Sequence, residues 1–167
     1  SIALQFPVRP PQGTKKPHFY RGSSSDQVHL WVWKADLDGT EEGNARGWKQ
    51  PIKPQAEDGQ QIKGQAVWDQ GRWSVVMKRP RRTDDKNDVQ FEQGVFTPMS
   101  VNAWDGSNGE HGLIMSLSTW YYVVLEAATP ISVYIYAALA FLVIGGLGIF
   151  LMRKVENEET ADDGQQA

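Results

Sequence analysis

Hydrophobic and polar residues alternate along several short stretches of the first 126 residues, and such alternation is the pattern of half-buried β-strands. In residues 28–33 every second residue is aliphatic, and one histidine and two tryptophans fill the positions between. Residues 72–78 place Trp73, Val75 and Met77 on one face. The remaining predicted strands are residues 2–6, 65–68, 95–103 and 117–125. Turn-rich stretches such as 36–47 and 51–61 separate these strands, so the pattern predicts an all-β, sandwich-like domain.

The pattern changes at residues 131–152, where 22 consecutive residues carry no charge. A helix needs roughly 20 apolar residues to cross the hydrocarbon core of a bilayer. Pro130 precedes the run and suits the first turn of a helix. The alternative is a buried helix of a soluble protein, but a run without charges leaves no face for solvent. We therefore predict one transmembrane helix.

The charges beside this helix predict its orientation. Arg153 and Lys154 are the only basic residues near either end of the run, and positive residues tend to remain in the cytoplasm. We expect an extracytoplasmic β domain at residues 1–126, a transmembrane helix with its flanks at 127–154, and a disordered acidic cytoplasmic tail at 155–167.

Composition excludes several classes of function. The chain has no cysteine, so disulfides, thiolate-bound metals, cysteine nucleophiles and covalent haem attachment are all excluded. Its net charge of −3 does not favour nucleic acid as a partner. None of the three histidines has the spacing of a metal motif, and no nucleophile–histidine–acid pattern is recognisable. The sequence therefore predicts no enzyme active site.

Seven tryptophans in a chain of 167 residues are unusual. Packing in the core and at interfaces is one explanation. A planar ligand stacked among aromatic rings, such as a haem or a sugar, is the other. Composition leaves both open.

Five segments, in order, carry a resemblance to a known family: IALQFPV, PHFYRG, VHLWVWKAD, GQAVWDQGRWSVVMKRP and NAWDGSNGEHGLIMSLSTWYYVVLE. Together they resemble the haem-b domain related to ethylbenzene dehydrogenase, the γ subunit of periplasmic molybdenum enzymes similar to dimethyl sulfoxide reductase. The resemblance runs from Ile2 to Glu126 and matches the later part of the family domain. It implies a β-sandwich that holds one non-covalent haem b and passes single electrons.

The family typically ligates the haem iron through a methionine before a glycine and through a lysine after the Trp-Asp-Gly segment. This chain departs from the family at both positions. Arg21 stands before Gly22 where the methionine is expected, and arginine does not ligate iron. Met115 stands where the lysine is expected, and its thioether is a known haem ligand.

The candidate iron ligands are therefore Met115 and His18, and Arg79 is a candidate partner of the haem propionates. Two of these candidates have a simpler alternative. Met115 is otherwise a buried strand residue. Arg79 otherwise belongs to a solvated loop, residues 78–88, whose charges balance locally.

Two main functions follow. The first is a membrane-anchored periplasmic subunit of an electron-transfer complex that carries haem b in the inner membrane of the cell. The alternative is a haem-less relative that serves as a structural subunit of a respiratory or photosynthetic complex. An anchored carbohydrate-binding sandwich is a third, weaker interpretation. In the first two, the partners are other subunits of the complex and the lipid bilayer.

Overall fold

The computed structural model describes residues 1–11, 16–37 and 39–163, with side chains described as far as Lys154. It divides the chain into two compact units, Ser1–Glu126 and Ala127–Ala167. The strands of the first unit are β1 (Ile2–Pro7), β2 (Val28–Lys34), β3 (Gly39–Ala45), β4 (Lys53–Pro54), β5 (Lys63–Asp69), β6 (Arg72–Lys78), β7 (Phe96–Ala103), β8 (Ser116–Leu117) and β9 (Tyr121–Val124). The second unit contains one helix, α1 (Ile131–Asp163). The prediction of an all-β domain followed by an apolar helix is confirmed.

The main sheet is antiparallel and has the strand order β4-β3-β2-β1-β7-β8, with β9 also paired to β7. The strands β5 and β6 form a separate two-stranded hairpin. Its loop is Gln70–Gly71, and both residues have positive φ angles, 47° and 78°. Tight hairpins of this length require such angles, because they match the twist of the strands.

The alternation in β2 assigns two faces to the main sheet. One face, here called the Leu30 face, carries a small apolar core. Its buried residues are Ala3, Val28, Leu30, Val32 and Ala45, with Ile52, Trp104 and Trp120 packed against them.

The other face, here called the His29 face, is lined by the aromatic residues of β2 and covered by the hairpin. Trp33 meets Trp73 of β6 at a ring separation of 4.8 Å, and Trp68 lies 5.2 Å from Trp73. Trp31 contacts Phe6 at 4.8 Å. The contact between Trp33 and Trp73 joins the two sheets, whereas Trp31 packs within the main sheet and Trp68 within the hairpin.

Two predicted turn stretches contain strands. β3 lies within residues 36–47 and β4 within residues 51–61. β3 was not predicted because its sequence, GTEEGNA, is polar, although it pairs with β2 along its whole length and buries Glu42. The single strand predicted at 117–125 is two strands, β8 and β9.

Within α1, the segment Ile131–Lys154 is long and apolar enough to cross a membrane. Its 24 residues extend about 36 Å as a helix, more than the roughly 30 Å of a hydrocarbon core. The helix continues to Asp163 and so includes the acidic residues 155–163. This acidic stretch contains good helix formers and follows a helix that is already nucleated.

Candidate functional site

A tight turn at residues 17–22 depends on an unusual backbone conformation. Arg21 and Gly22 both have positive φ angles, 62° and 71°. The Gly22 N–H donates to the carbonyl of His18 at 2.8 Å, which closes the turn. A side chain at position 22 would overlap the backbone of Asp26, so this position requires glycine.

Side-chain hydrogen bonds fasten this turn to residues 104–120, which lie about a hundred positions further along the chain. They run from Tyr20 Oη to Leu113 O (2.6 Å), from Arg21 Nη2 to Gly112 O (2.5 Å) and from Trp120 Nε1 to Pro17 O (2.9 Å). The fold thus brings together the two segments that carry the predicted iron ligands, His18 and Met115.

His18 is exposed and stacks on Phe19 at a ring separation of 4.9 Å. Its Nδ1 atom accepts the backbone N–H of Tyr20 at 3.2 Å. The neutral ring therefore carries its proton on Nε2, and ligation through Nε2 requires the other tautomer. Met115 is half-buried, one residue before β8.

Arg21 is buried under the turn, with 5% of its surface exposed. Among the described residues, no carboxylate forms an ion pair with it. Burial lowers the pKa of the Arg21 guanidinium, and Tyr20 opposes this shift. The chain therefore buries a cation at the position where the family places a methionine ligand.

Further buried polar side chains lie on the Leu30 face. Gln5 pairs with Ser100 across β1 and β7, and Asn102 is two residues beyond Ser100 on the same face. Gln5 Nε2 donates to the carbonyl of Phe19 in the turn, at 2.8 Å. Gln5, Arg21, Ser100 and Asn102 are here called the polar patch. Within the described part of the chain, five of its atoms have no hydrogen-bond partner: Gln5 Oε1, Arg21 Nε, Ser100 Oγ, Asn102 Oδ1 and Asn102 Nδ2.

The His29 face buries charges in a different way. Arg79 Nε lies 2.5 Å from Glu42 Oε1, and Arg79 Nη2 pairs with Asp88 Oδ2. The hydroxyl of Thr83 donates to Asp88 at 2.5 Å. His29 Nε2 is 3.5 Å from both Glu42 and Asp88. The side chains of Arg79, Glu42, Asp88 and His29 are fully buried, and the four residues are here called the ionic network.

The ligand atoms of His29, Glu42 and Asp88 lie within 4.8 Å of one another, as in a metal site. Two features oppose metal binding. The Arg79 guanidinium already forms an ion pair with each carboxylate. His29 Nδ1 accepts the Val89 N–H at 3.1 Å, so Nε2 carries the proton of the neutral ring. The arrangement is therefore a buried ion-pair network.

Burial lowers the pKa of His29 to about 4, and Asp88 raises it less than burial lowers it. The hydrogen bond from Val89 acts in the same direction as burial, because a protonated ring would lose its acceptor at Nδ1. His29 is therefore neutral at pH 7.

The fold does not bring Arg79 together with His18 and Met115. Arg79 lies on the His29 face, 5.7 Å from the ring of Trp31, whereas the 17–22 turn contacts Gln5 on the Leu30 face. The alternative of a solvated loop is also wrong at Arg79 and Asp88, which are buried. Sequence reasoning missed the polar patch and the acidic half of the ionic network. Polar residues within strands, such as Gln5 and Ser100, were the available signal.

Comparisons with known proteins point to a family. A family model described as "Ethylbenzene dehydrogenase" matches residues 45–116, which include the Trp-Asp-Gly segment and Met115. The resemblance to the haem-b domain family related to ethylbenzene dehydrogenase is thereby confirmed.

A curated relative points in the same direction. The "Putative respiratory nitrate reductase heme subunit ORF7" of Haloferax mediterranei is 31% identical over 122 residues, which are 73% of this chain. The chain spans about 42% of the length of that relative.

Proposed function

We propose that this chain is a membrane-anchored subunit of a respiratory electron-transfer complex and that its β domain carries one haem b. The proposal rests on the three side-chain hydrogen bonds that join the 17–22 turn to residues 104–120. His18 and Met115, whose side chains are of types that ligate iron, belong to the two segments that these hydrogen bonds join. The match to a family of haem subunits supports the same function.

The donor set fits a haem, since an imidazole and a thioether are an established pair of axial ligands. When bound, the haem supplies one-electron redox chemistry, and a histidine–methionine pair favours a relatively high potential. To hold the iron, His18 would use Nε2 and would carry its proton on Nδ1. It would then give up the hydrogen bond that Nδ1 accepts from the Tyr20 N–H, worth about 0.5–1.5 kcal/mol.

The proposal includes a topology. Residues 131–152 span the inner membrane, residues 1–126 face the periplasm, and the chain from Lys154 onward faces the cytoplasm. Arg153 and Lys154 support this orientation. Other subunits of the complex and the lipid bilayer are the partners, and the chain transfers electrons rather than catalysing the reaction of the complex.

One observation favours a second function, that of a haem-less structural subunit. The Arg21 guanidinium binds Gly112 and so already joins the two segments that an iron atom would join. In that case Met115 is a packing residue, and the domain braces other chains.

The experiment is a pyridine haemochrome assay on the membrane complex that contains the full chain. The number of haem b groups it measures is compared with the number that the other haem-bearing subunits account for. Met115→Ala is compared with Met99→Ala, because both methionines are half-buried. We expect one haem b assigned to this chain, and a changed reduced spectrum or lost haem only in Met115→Ala. The absence of such a haem would select the structural subunit, and equal spectra in both variants would exclude Met115 as a ligand.

A further inference from the structure

The strands β7 and β9 present an exposed apolar surface, here called the β9 patch, which consists of Phe96, Tyr122 and Val124. Phe96 pairs with Val124 across the two strands, and its ring meets that of Tyr122 edge-on at 6.2 Å. The three residues are 65%, 52% and 43% exposed, in that order. The apolar surface continues into a hollow of about 140 Å³ beside Phe96, lined largely by Pro7, Val8, Pro10, Pro11 and Pro98. A contiguous exposed apolar surface indicates an interaction site.

The β5–β6 hairpin also exposes apolar side chains, but on its outer face, opposite Trp73, they alternate with polar ones. Val67 pairs with Ser74 there, and Val76 pairs with Gln65. Single apolar residues are ordinary on a protein surface and do not indicate a partner. The β9 patch differs, because its apolar residues are neighbours of one another.

The position of the β9 patch along the chain indicates which partner covers it. Only six residues, 125–130, separate β9 from α1, whose segment Ile131–Lys154 is long and apolar enough to cross a membrane. Fully extended, this connection covers at most about 25 Å. A helix that spans the bilayer therefore keeps β9 close to the membrane surface, and Glu126 is the single charged residue of the connection.

The chemistry of the side chains fits the lipid headgroup region. Tyrosine is enriched at this depth, because its ring is apolar and its hydroxyl is polar. Lys16 Nζ lies 4.6 Å from the centre of the Tyr122 ring, and a lysine beside an apolar surface can extend its ammonium towards lipid phosphates. Tyr134 and Tyr136 place two more tyrosines near the start of α1.

We propose that the β9 patch inserts into the headgroup region of the bilayer and docks the β domain on the membrane surface. The proposal rests on the membrane topology given under the proposed function. Docking holds the domain in one orientation, whereas the six-residue connection alone would only limit its distance from the membrane.

The test uses spin labels, because a chain without cysteine accepts a single label at any chosen position. The full chain is placed in nanodiscs of phosphatidylcholine and phosphatidylglycerol, and EPR measures collisions of each label with lipid-soluble oxygen and with a water-soluble nickel chelate. Labels on Phe96→Cys and Tyr122→Cys should collide less with the chelate and more with oxygen than a label on Val76→Cys. Val76 is the matched control, since it is apolar and 69% exposed. A label on Leu142→Cys, within the span, should show the highest ratio of oxygen to chelate collisions.

A second measurement separates docking from mere tethering. In a chain labelled on Val124→Cys, the change Phe96→Ser should increase collisions with the chelate, because it removes an aromatic ring from the docked surface. Val76→Ser should leave those collisions unchanged.

Four outcomes would count against the proposal. If the labels at 96 and 122 match the label at 76 while the label at 142 lies in lipid, the domain is only tethered. If the labels at 96 and 122 are shielded from both reagents, protein covers the β9 patch instead of lipid. If Phe96→Ser changes nothing at 124, the β9 patch is not the contact. If the label at 142 collides freely with the chelate, the proposed topology itself fails.

Discussion

On the His29 face of the main sheet the buried charges form ion pairs with one another, whereas the buried Arg21 beside the Leu30 face has no carboxylate partner among the described residues. Arg79 has two carboxylate partners, while Arg21 has a single carbonyl at its Nη2 atom. Both arginines are buried in the same domain.

The two buried arginines differ in whether the described chain supplies a partner for their charge. A buried ionic group with its partners in place needs nothing further, and its removal leaves other charges unpaired. A buried polar group without a protein partner is tolerated where a ligand or water supplies one. The ionic network therefore stabilises the fold, whereas the polar patch adds no ion pair to it among the described residues.

Arg79→Met should produce the largest loss of stability. The change leaves Glu42 and Asp88 buried without their cation, which costs about 3–5 kcal/mol. Denaturant unfolding of the full chain, followed by tryptophan fluorescence, measures the effect in the β domain alone, because every tryptophan precedes Glu126.

Arg82→Met is the control for this prediction. Arg82 pairs with Glu92 at 3.3 Å, but both side chains are largely exposed. The expected loss is less than about 1 kcal/mol. Equal losses in the two variants would mean that the ionic network does not stabilise the fold.

The free energy of unfolding of the domain should decrease as the pH is lowered, because of His29. Its pKa is about 4 in the folded chain, compared with about 6.5 for an unperturbed histidine. The unfolded chain therefore binds the proton first as the pH falls. The stabilisation is complete above pH 6.5 and is lost progressively between about pH 6.5 and pH 4, amounting to about 3 kcal/mol.

His29→Gln should remove most of this pH dependence, and His111→Gln should keep it, since His111 is exposed. Unfolding free energies measured at intervals between pH 7 and pH 4.5 provide the comparison. A slope that persists in His29→Gln would assign the titration to another group.

The ionic network also explains which parts of the fold the sequence does not reveal. The alternation of β2 predicts both faces correctly, because its Leu30 face is aliphatic and its His29 face largely aromatic. β3 follows the same period, but its inward side chain at Glu42 is charged. A pattern read through hydrophobicity alone therefore assigns β3 to a turn, and it assigns buried Arg79 and Asp88 to solvent.

The polar patch could not be predicted from the sequence for a different reason. Gln5 and Ser100 are 95 positions apart, and only the pairing of β1 with β7 makes them neighbours. A single sequence does not give that register. The apolar helix needs no such partner, so 22 uncharged residues were enough to predict it.

The packing of the β5–β6 hairpin on the His29 face should be destabilised by the addition of a single methyl group. A Cβ at Gly64 of β5 would overlap Thr40 Cγ2 of β3, so Gly64→Ala should cost about 1–3 kcal/mol. Gly106→Ala, where a Cβ would meet nothing within 4 Å, should cost less. Thr40→Ser removes the overlapping methyl and should reduce the cost of Gly64→Ala, as a double-mutant cycle would measure. An undiminished cost in that background would place the strain elsewhere.

The smallest effect is expected at Ser100, and it is the most informative about the Leu30 face. Ser100→Ala removes a buried hydroxyl that has no partner in the described chain, so the haem-free protein should keep its stability or gain up to about 1 kcal/mol. Ser118→Ala is the matched control, because the Ser118 hydroxyl accepts the Val101 N–H at 2.8 Å, and its removal should cost about 1 kcal/mol. Denaturant unfolding of both haem-free variants provides the comparison. A loss at Ser100 as large as that at Ser118 would mean that the Ser100 hydroxyl stabilises the fold itself, and the polar patch would then resemble the ionic network across the sheet.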